Sequence, residues 1–230
     1  MEIRALVFDV FCTLVDWRSG VAREATRILG HTVDGGAFAD AWRSLYQPSM
    51  EAVRAGQRPW VDLDTLHSES LDQVLAQFNR SGIDVSAKGE LVQAWHRLDA
   101  WHEVSDALAR LRERFILAPL SNGHVTLSIA LARRNSLTWD AIFGAEFTQD
   151  YKPKPRVYLD AVEALRLKPE NVLMVACHSS DLAAAARCGL RTAHIARPNE
   201  RGPGLGETCP AGPVDVSAAD LIDLARQLET

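Results

Sequence analysis

The four cysteines of this 230-residue chain, Cys12, Cys177, Cys188 and Cys209, form no C-x-x-C pair. A zinc site or a thioredoxin-type dithiol needs that spacing, so neither has support. Nicotinamide and flavin fingerprints are missing as well. No run of Lys and Arg occurs, and a net charge of −5 with a pI near 5.8 has the wrong sign for a dedicated nucleic-acid or anionic-membrane binder. No apolar stretch approaches the roughly 20 residues of a membrane span, and the start of the chain lacks the charged, apolar and small-residue order of a signal peptide. Together with thiols that suit a reducing compartment, these absences lead us to expect a cytoplasmic protein. What is present, 47% hydrophobic and 24% charged residues, fits a chain that buries a sizeable core. An α/β domain with no chemistry would have the same numbers, so function must be read from particular residues.

The run Ile3-Arg4-Ala5-Leu6-Val7-Phe8 reads as a fully buried strand. From about residue 16 the apolar spacing becomes helical: Val21, Ala25, Ile28 and Leu29 share one face, and Leu63, Leu66, Leu71, Val74, Leu75 and Phe78 another. No strand pattern appears between residues 16 and 100, and Pro48, the segment 56–59 and Gly82 mark helix breaks. Alternation then resumes, with helices expected over 104–113, 124–135, 157–165, 180–188 and 218–228. Strands are expected over 115–120, in a short piece reached through 141–145, and over 171–176 and 192–195, with a Gly/Pro-rich loop at 198–213. The pattern predicts an α/β fold. A Rossmann-like parallel sheet forms the core from residues 1–15 and 99–230, and an all-helical cap is inserted at 16–98. Such a cap would close over the carboxyl ends of the strands, where open α/β sheets bind ligands.

Polar residues collect at those ends. Asp9 terminates the first strand and Thr13 follows it; a carboxylate there costs free energy unless it has partners or a task. Ser121-Asn122-Gly123, Tyr151-Lys152-Pro153 and His178-Ser179-Ser180-Asp181 follow later elements. One such cluster is ordinary turn chemistry, but four in this order converge on one rim of a parallel sheet.

The stretches Phe8-Asp9-Val10-Phe11-Cys12-Thr13-Leu14, Leu120-Ser121-Asn122-Gly123, Tyr151-Lys152-Pro153-Lys154-Pro155-Arg156-Val157-Tyr158 and His178-Ser179-Ser180-Asp181 resemble the haloacid dehalogenase superfamily, and within it the type II L-2-haloacid dehalogenases. Phosphatases of that superfamily carry a second Asp two places after the first, as general acid, and further carboxylates for Mg²⁺, a hard ion that needs oxygen ligands. Phe11 stands at that position here and cannot donate a proton. A halide leaves without one, so the substitution fits carbon–halogen cleavage.

The resemblance implies a reaction and a set of roles. Asp9 would displace halide from C2 of an (S)-2-haloalkanoic acid, and water would hydrolyse the aspartyl ester to an (R)-2-hydroxyacid, without metal or cofactor. Lys152 would hold Asp9 ionised, with Thr13 and Tyr158 bonding around Asp9 and the substrate carboxylate. Asp181 would orient Lys152 and help activate water. Ser121 and the backbone N–H groups of Val10 and Phe11 would receive the substrate carboxylate, and Asn122 would face the halide. Arg43, in Ala41-Trp42-Arg43-Ser44, would contact substrate and halide, leaving Arg54 and Arg58 on solvated faces. Trp42 and Trp60 could line an apolar pocket, though core packing is the commoner fate of tryptophan. The partners implied are a small haloacid, a halide ion and a second copy of the chain, with no nucleic acid or membrane.

Two positions depart from the familiar pattern. His178 stands where Asn is usual, and a neutral imidazole there could position water or act as a base in ester hydrolysis. Cys12 stands where Gly is usual; because Cys avoids the angles that Gly permits, the turn is expected to need no positive φ. A Mg²⁺-dependent phosphatase and a non-catalytic binding protein on the same fold remain the competing readings.

Overall fold

Side chains along the first strand, β1 (Ala5–Phe8), split by parity, and that split organises the molecule. Ala5 and Val7 join one hydrophobic cluster, Leu6 and Phe8 another. Such alternation follows from the period of two along a pleated strand. The computed structural model describes residues 2–229. After β1 come β2 (Val15–Asp16), helices α1 (Trp17–Leu29), α2 (Gly35–Ser44), α3 (Tyr46–Arg54), α4 (Leu63–Gln77) and α5 (Val85–Val92), a 3₁₀ turn at Gln93–Arg97, and β3 (Asp99–Ala100). The remainder runs α6 (Val104–Arg112), β4 (Ile116–Pro119), α7 (Val125–Asn135), α8 (Pro155–Ala164), β5 (Val172–Ala176), α9 (Ser179–Arg187), β6 (Arg191–Ile195), β7 (Val216–Ala218) and α10 (Leu221–Glu229).

The main sheet is parallel throughout, in the order β4-β1-β5-β6-β7. Leu6, Phe8, Leu117, Leu173 and Val175 face α6, α7 and α10, while Ala5, Val7, Ala118, Val172 and Met174 face α8 and α9. This is the expected doubly covered α/β core. Phe8 pairs with Pro119 on one side and Val175 on the other, so β1, β4 and β5 end level. The chain leaves β1 toward β4 and later returns to β5 on its other flank, which makes the end of β1 the switch point where a crevice opens.

The helices α1–α5 confirm the 3.6-residue periodicity. Four of the five start on an aspartate whose carboxylate accepts an early backbone N–H: Asp16 from Ser19, Asp34 from Ala37, Asp62 from Thr65 and Asp84 from Ala87. Each such cap satisfies a donor that the helix itself leaves unpaired.

Three local expectations need correction, the first being the edge strand β7, which forms where only the approach to a helix beginning at 218 was expected. The two-residue strands β2 and β3 pair antiparallel at the entrance and exit of the helical segment, where no strand pattern is visible. Elements this short carry no periodicity to read. Conversely, the segment near 141–145 makes only an isolated bridge, Leu120 with Phe143, before a 3₁₀ turn at Ala145–Phe147. The chain is drawn away because Glu146 accepts the Val125 N–H at 2.7 Å and so caps α7. Gly144 allows that approach; a Cβ there would stand 2.7 Å from the Val125 nitrogen.

Candidate active site

Asp9 follows β1 directly, its N–H still bonded to the Val175 carbonyl at 3.0 Å. The strand therefore aims the carboxylate into a cleft of about 940 Å³ lined by Phe11, Trp17, Arg43, Tyr46, Asn122, Lys152, Tyr158, His178 and Asp181 among others. Each Asp9 oxygen has its own partners. Lys152 Nζ donates to Oδ1 at 3.2 Å, and Thr13 Oγ1 donates to Oδ2 at 2.9 Å. Thr13 is fixed in turn by accepting the Cys177 N–H at 3.0 Å. Burial alone would raise the Asp9 pKa, but Lys152, His178 and Thr13 outweigh it and hold the group well below the usual carboxylate range.

Lys152 is buried between two carboxylates, reaching Asp181 Oδ2 at 2.7 Å as well as Asp9. Burial opposes its charge; Asp181 and Asp9 reverse that and raise its pKa. Tyr158 Oη donates to Asp181 Oδ1 at 2.5 Å, and burial with the adjacent carboxylate keeps the phenol protonated. Tyr158 thus braces Asp181 rather than Asp9.

The other side of Asp9 is a histidine. His178 Nδ1 lies 3.8 Å from Asp9 Oδ2, and Nε2 lies 3.1 Å from Glu200 Oε1. Burial disfavours a charged ring, yet contacts with Asp9, Cys12 and Glu200 lift its pKa far above 6.5. Flanked by two carboxylates, the ring is favoured as an imidazolium, in contrast to the neutral imidazole of the sequence reading. Glu200 is buried and held down to about 2 despite that burial, chiefly by His178. Nothing in the sequence marks Glu200, which sits in the Gly/Pro-rich loop without periodicity.

Cys12 also differs from expectation. Its φ is 74°, so the turn does need the left-handed region. Surrounding contacts enforce it: the Trp101 indole donates to the Cys12 carbonyl at 2.7 Å, the Cys12 N–H donates to the Val15 carbonyl, and the thiol donates to Glu200 Oε1 at 3.0 Å. Burial raises the thiol pKa well above 9.0, so it stays protonated.

Arg43, at the end of α2, enters the cleft with its guanidinium 3.9 Å from the Tyr46 ring centre and 5.3 Å and 5.9 Å from Trp17 and Phe11. Among the described residues its Nη1 is buried without a hydrogen-bond partner. An aromatic cage with one free donor is suited to an anion. Arg58 pairs with Glu69 as a surface residue should. Arg54 does not stay solvated; it bonds the Lys152 carbonyl at 2.9 Å and ties α3 to the catalytic rim.

Asn122 lines the cleft, with Oδ1 accepting the Lys152 N–H at 2.8 Å. Val10 and Ser121 lie buried just behind the wall, Ser121 Oγ accepting the Gly123 N–H. Of the tryptophans, Trp17 lines the cleft, whereas Trp42 is core, its indole bonded to the His67 carbonyl and Ser70. Among the described residues, two groups have metal-ligand proximity, Cys12/Cys177/His178/Glu200 and Asp64/His96/His124. Neither is the oxygen-rich set that Mg²⁺ prefers. At the nucleophile itself the second carboxylate, Asp181, is already held by Lys152 and Tyr158.

Residues 3–189 match the family described as haloacid dehalogenase-like hydrolase. The chain is 30% identical to (S)-2-haloacid dehalogenase 4A of Burkholderia cepacia over 85% of its own length and 84% of that protein. A defluorinating L-2-haloacid dehalogenase of known structure superposes with a TM-score of 0.94 at 42% identity, covering 99% of this chain and 96% of the other. The L-2-haloacid dehalogenase of Xanthobacter autotrophicus with chloropropionic acid covalently bound gives a TM-score of 0.86 at 25% identity, covering 99% of both chains.

Proposed function

Because the chain belongs to the haloacid dehalogenase-like hydrolases, we propose that it is a hydrolase of carbon–halide bonds, converting short (S)-2-haloalkanoic acids to (R)-2-hydroxyacids. Asp9 is the nucleophile. One carboxylate oxygen attacks C2, the C–X bond breaks with its electron pair leaving on the halide, and an aspartyl ester remains. Water then adds to the ester carbonyl carbon; on collapse one water proton ends on the hydroxyacid oxygen and the other leaves to solvent, which returns the Asp9 carboxylate and releases the hydroxyacid.

A single observation carries this reading: an Asp9 kept ionised by Lys152 and faced, two residues on, by the buried ring of Phe11. A phosphate ester needs a proton on its leaving oxygen, and that position holds none to give. A halide needs none. The named relatives support the same choice over the phosphatase alternative.

We assign the remaining roles as follows. Arg43, caged by Tyr46, Trp17 and Phe11, offers its unpartnered Nη1 to the anionic substrate or the departing halide. Asn122 completes that wall. We assign the substrate carboxylate to Ser121 and the backbone N–H groups of Val10 and Phe11, of which Phe11 lines the cleft and the other two are buried beside it. Residues 16–98 act as the cap over a core of 1–15 and 99–230, with α2 and α3 supplying Arg43, Tyr46 and the Arg54 tie. The reaction requires no cofactor. A cytoplasmic homodimer is the form we expect, and size-exclusion with light scattering tests the second half of that statement. Among the described residues, no helix is long and apolar enough to cross a membrane.

The deciding experiment is halide release from L- and D-2-chloropropionate, with and without EDTA, and with Asp9→Asn as control. The reading expects release from the L form alone, indifferent to EDTA and lost in the variant. Turnover of p-nitrophenyl phosphate restored by Mg²⁺, with no halide released, would overturn it. Fluoroacetate belongs in the same assay, given the defluorinating relative.

A further inference from the structure

Asp9 starts the reaction as an anion and becomes a neutral ester halfway through. Every group that relied on its charge must then do without it. Lys152 keeps a second carboxylate, Asp181, at 2.7 Å. His178 keeps Glu200 as its carboxylate partner among the described residues, at 3.1 Å from Nε2. His178 also immediately precedes α9, at its N-terminal end. The positive end of that helix and the surrounding burial both favour loss of the ring proton once Asp9 is neutral.

We propose that Glu200 is a positioning residue for the second half of the reaction: it keeps His178 an imidazolium against the ester oxygen after Asp9 has lost its charge. The inference rests on the dehalogenase reading. In that step a water oxygen bonds to the Asp9 carboxyl carbon and the carbonyl electron pair moves onto oxygen. The water proton passes to Asp181. The bond from that carbon to the substrate oxygen then breaks, and the alkoxide takes the proton. The oxyanion formed in between is where a charged donor helps most. His178 Nδ1, 3.8 Å from Asp9 Oδ2 in the resting site, is placed to supply it.

The local charges fit this assignment. Glu200 comes from the loop after β6, is 3% exposed, and accepts the Cys12 thiol through the same Oε1 that faces His178. Arg201 lies 3.6 Å from that oxygen and adds to its hold as an anion. The other titratable groups near the ring are Cys177, 3.7 Å from Nδ1, His194 in β6, Arg43, which reaches the Cys12 sulfur at 3.7 Å, and two carboxylates engaged elsewhere: Glu207, which accepts the Ser179 N–H at 3.1 Å, and Asp181, held by Lys152 and Tyr158. Among the described residues, Glu200 is the carboxylate besides Asp9 that faces a His178 ring nitrogen, so it is the contact that remains once the ester forms.

Rapid quench with L-2-chloropropionate tests this, following halide, hydroxyacid and the mass of the Asp9 adduct between about pH 6 and pH 9. Glu200→Gln should keep the halide burst, lose at least about tenfold in hydroxyacid release, and accumulate the ester. Its ester hydrolysis should fall as pH rises, whereas the parent's stays flat. Glu200→Asp retains the charge and should retain the flat profile with a smaller loss. His178→Asn should be slow and pH-independent, with the double variant no slower. Parent-like hydrolysis in Glu200→Gln, or an equal loss in both half-reactions with no ester, overturns the proposal. Should Glu200→Gln fail to fold, His178→Asn decides, since parent-like hydrolysis there refutes it equally. A parent that releases no halide brings down the dehalogenase reading and this inference together; halide release without ester accumulation in the variant brings down this inference alone.

Discussion

On the Oδ1 side of Asp9 a lysine lies between two carboxylates; on the Oδ2 side an imidazole does. The arrangements match in charge and differ in permanence. A lysine held by Asp9 and Asp181 keeps its proton through any neutral pH. An imidazolium has an ordinary pKa near 6.5 and keeps its proton only while its anions stay. The first side is a fixed electrostatic support, and the second depends on who its neighbours are. The difference suits a nucleophile whose charge is consumed and restored in each cycle.

The comparison can be broken most severely at its centre. Asp9→Asn should reduce halide release by at least about a thousandfold, measured by ion chromatography, because it removes the nucleophile that both sides serve. Lys152→Met tests the permanent side. It leaves Asp9 and Asp181 buried without their shared cation and should lower stability by about 3–5 kcal/mol in urea denaturation, besides abolishing turnover. Arg43→Lys should raise KM for the haloacid by about tenfold or more in steady-state assays, because an ammonium cannot fill the aromatic cage or present the planar fork.

The conditional side is sharpened by pH. Folded His178 keeps a proton that the unfolded ring loses above 6.5. The folded state then binds more protons, so its contribution to stability is complete below 6.5 and declines as pH rises above it. Thermal melts of the parent should show that decline, and His178→Asn should lack it. Glu200 acts at the acid end: its contribution is complete above 4.5 and is lost as pH falls through about 2. The smallest effect belongs to Cys12→Gly. Relief of the left-handed backbone gains roughly 1–2 kcal/mol, loss of the buried thiol bond costs about 1 kcal/mol, and denaturation should register a net change below about 1 kcal/mol.

The two sides also differ in how far the sequence reveals them. Asp9 follows a strongly patterned strand and Asp181 lies in the first turn of a patterned helix after another, so strand-end logic finds them, whereas Lys152 follows no strand and stands out through the Tyr151-Lys152-Pro153 stretch ahead of α8. Glu200 and Tyr46 escape it. Glu200 lies in an aperiodic loop, and its burial depends on contacts with Cys12 and His178 that no local pattern encodes. Tyr46 opens α3 right after a helix break and becomes a wall of the cleft through Arg43 stacked on it. The same blindness explains the Cys12 turn. Residue preference argues against a positive φ, yet Trp101 and Glu200, both distant in sequence, impose one. β1, β4, β5 and β6 read well because their runs are apolar and largely buried, whereas the edge strand β7, three residues with only Ala218 buried, goes unread, and β2 and β3 are too short to show a period.

The parity of β1 sets a limit on how this chain can be edited. One residue inserted between Ala5 and Phe8 would trade the Leu6/Phe8 set for the Ala5/Val7 set against the helices on each face. It would also advance Asp9 by about 3.3 Å, one strand rise, beyond the grip of Lys152 and Thr13. Length changes should therefore be tolerated in the 198–213 loop outside Glu200, and in the connections between α1 and α5, long before a single one is tolerated in these four residues.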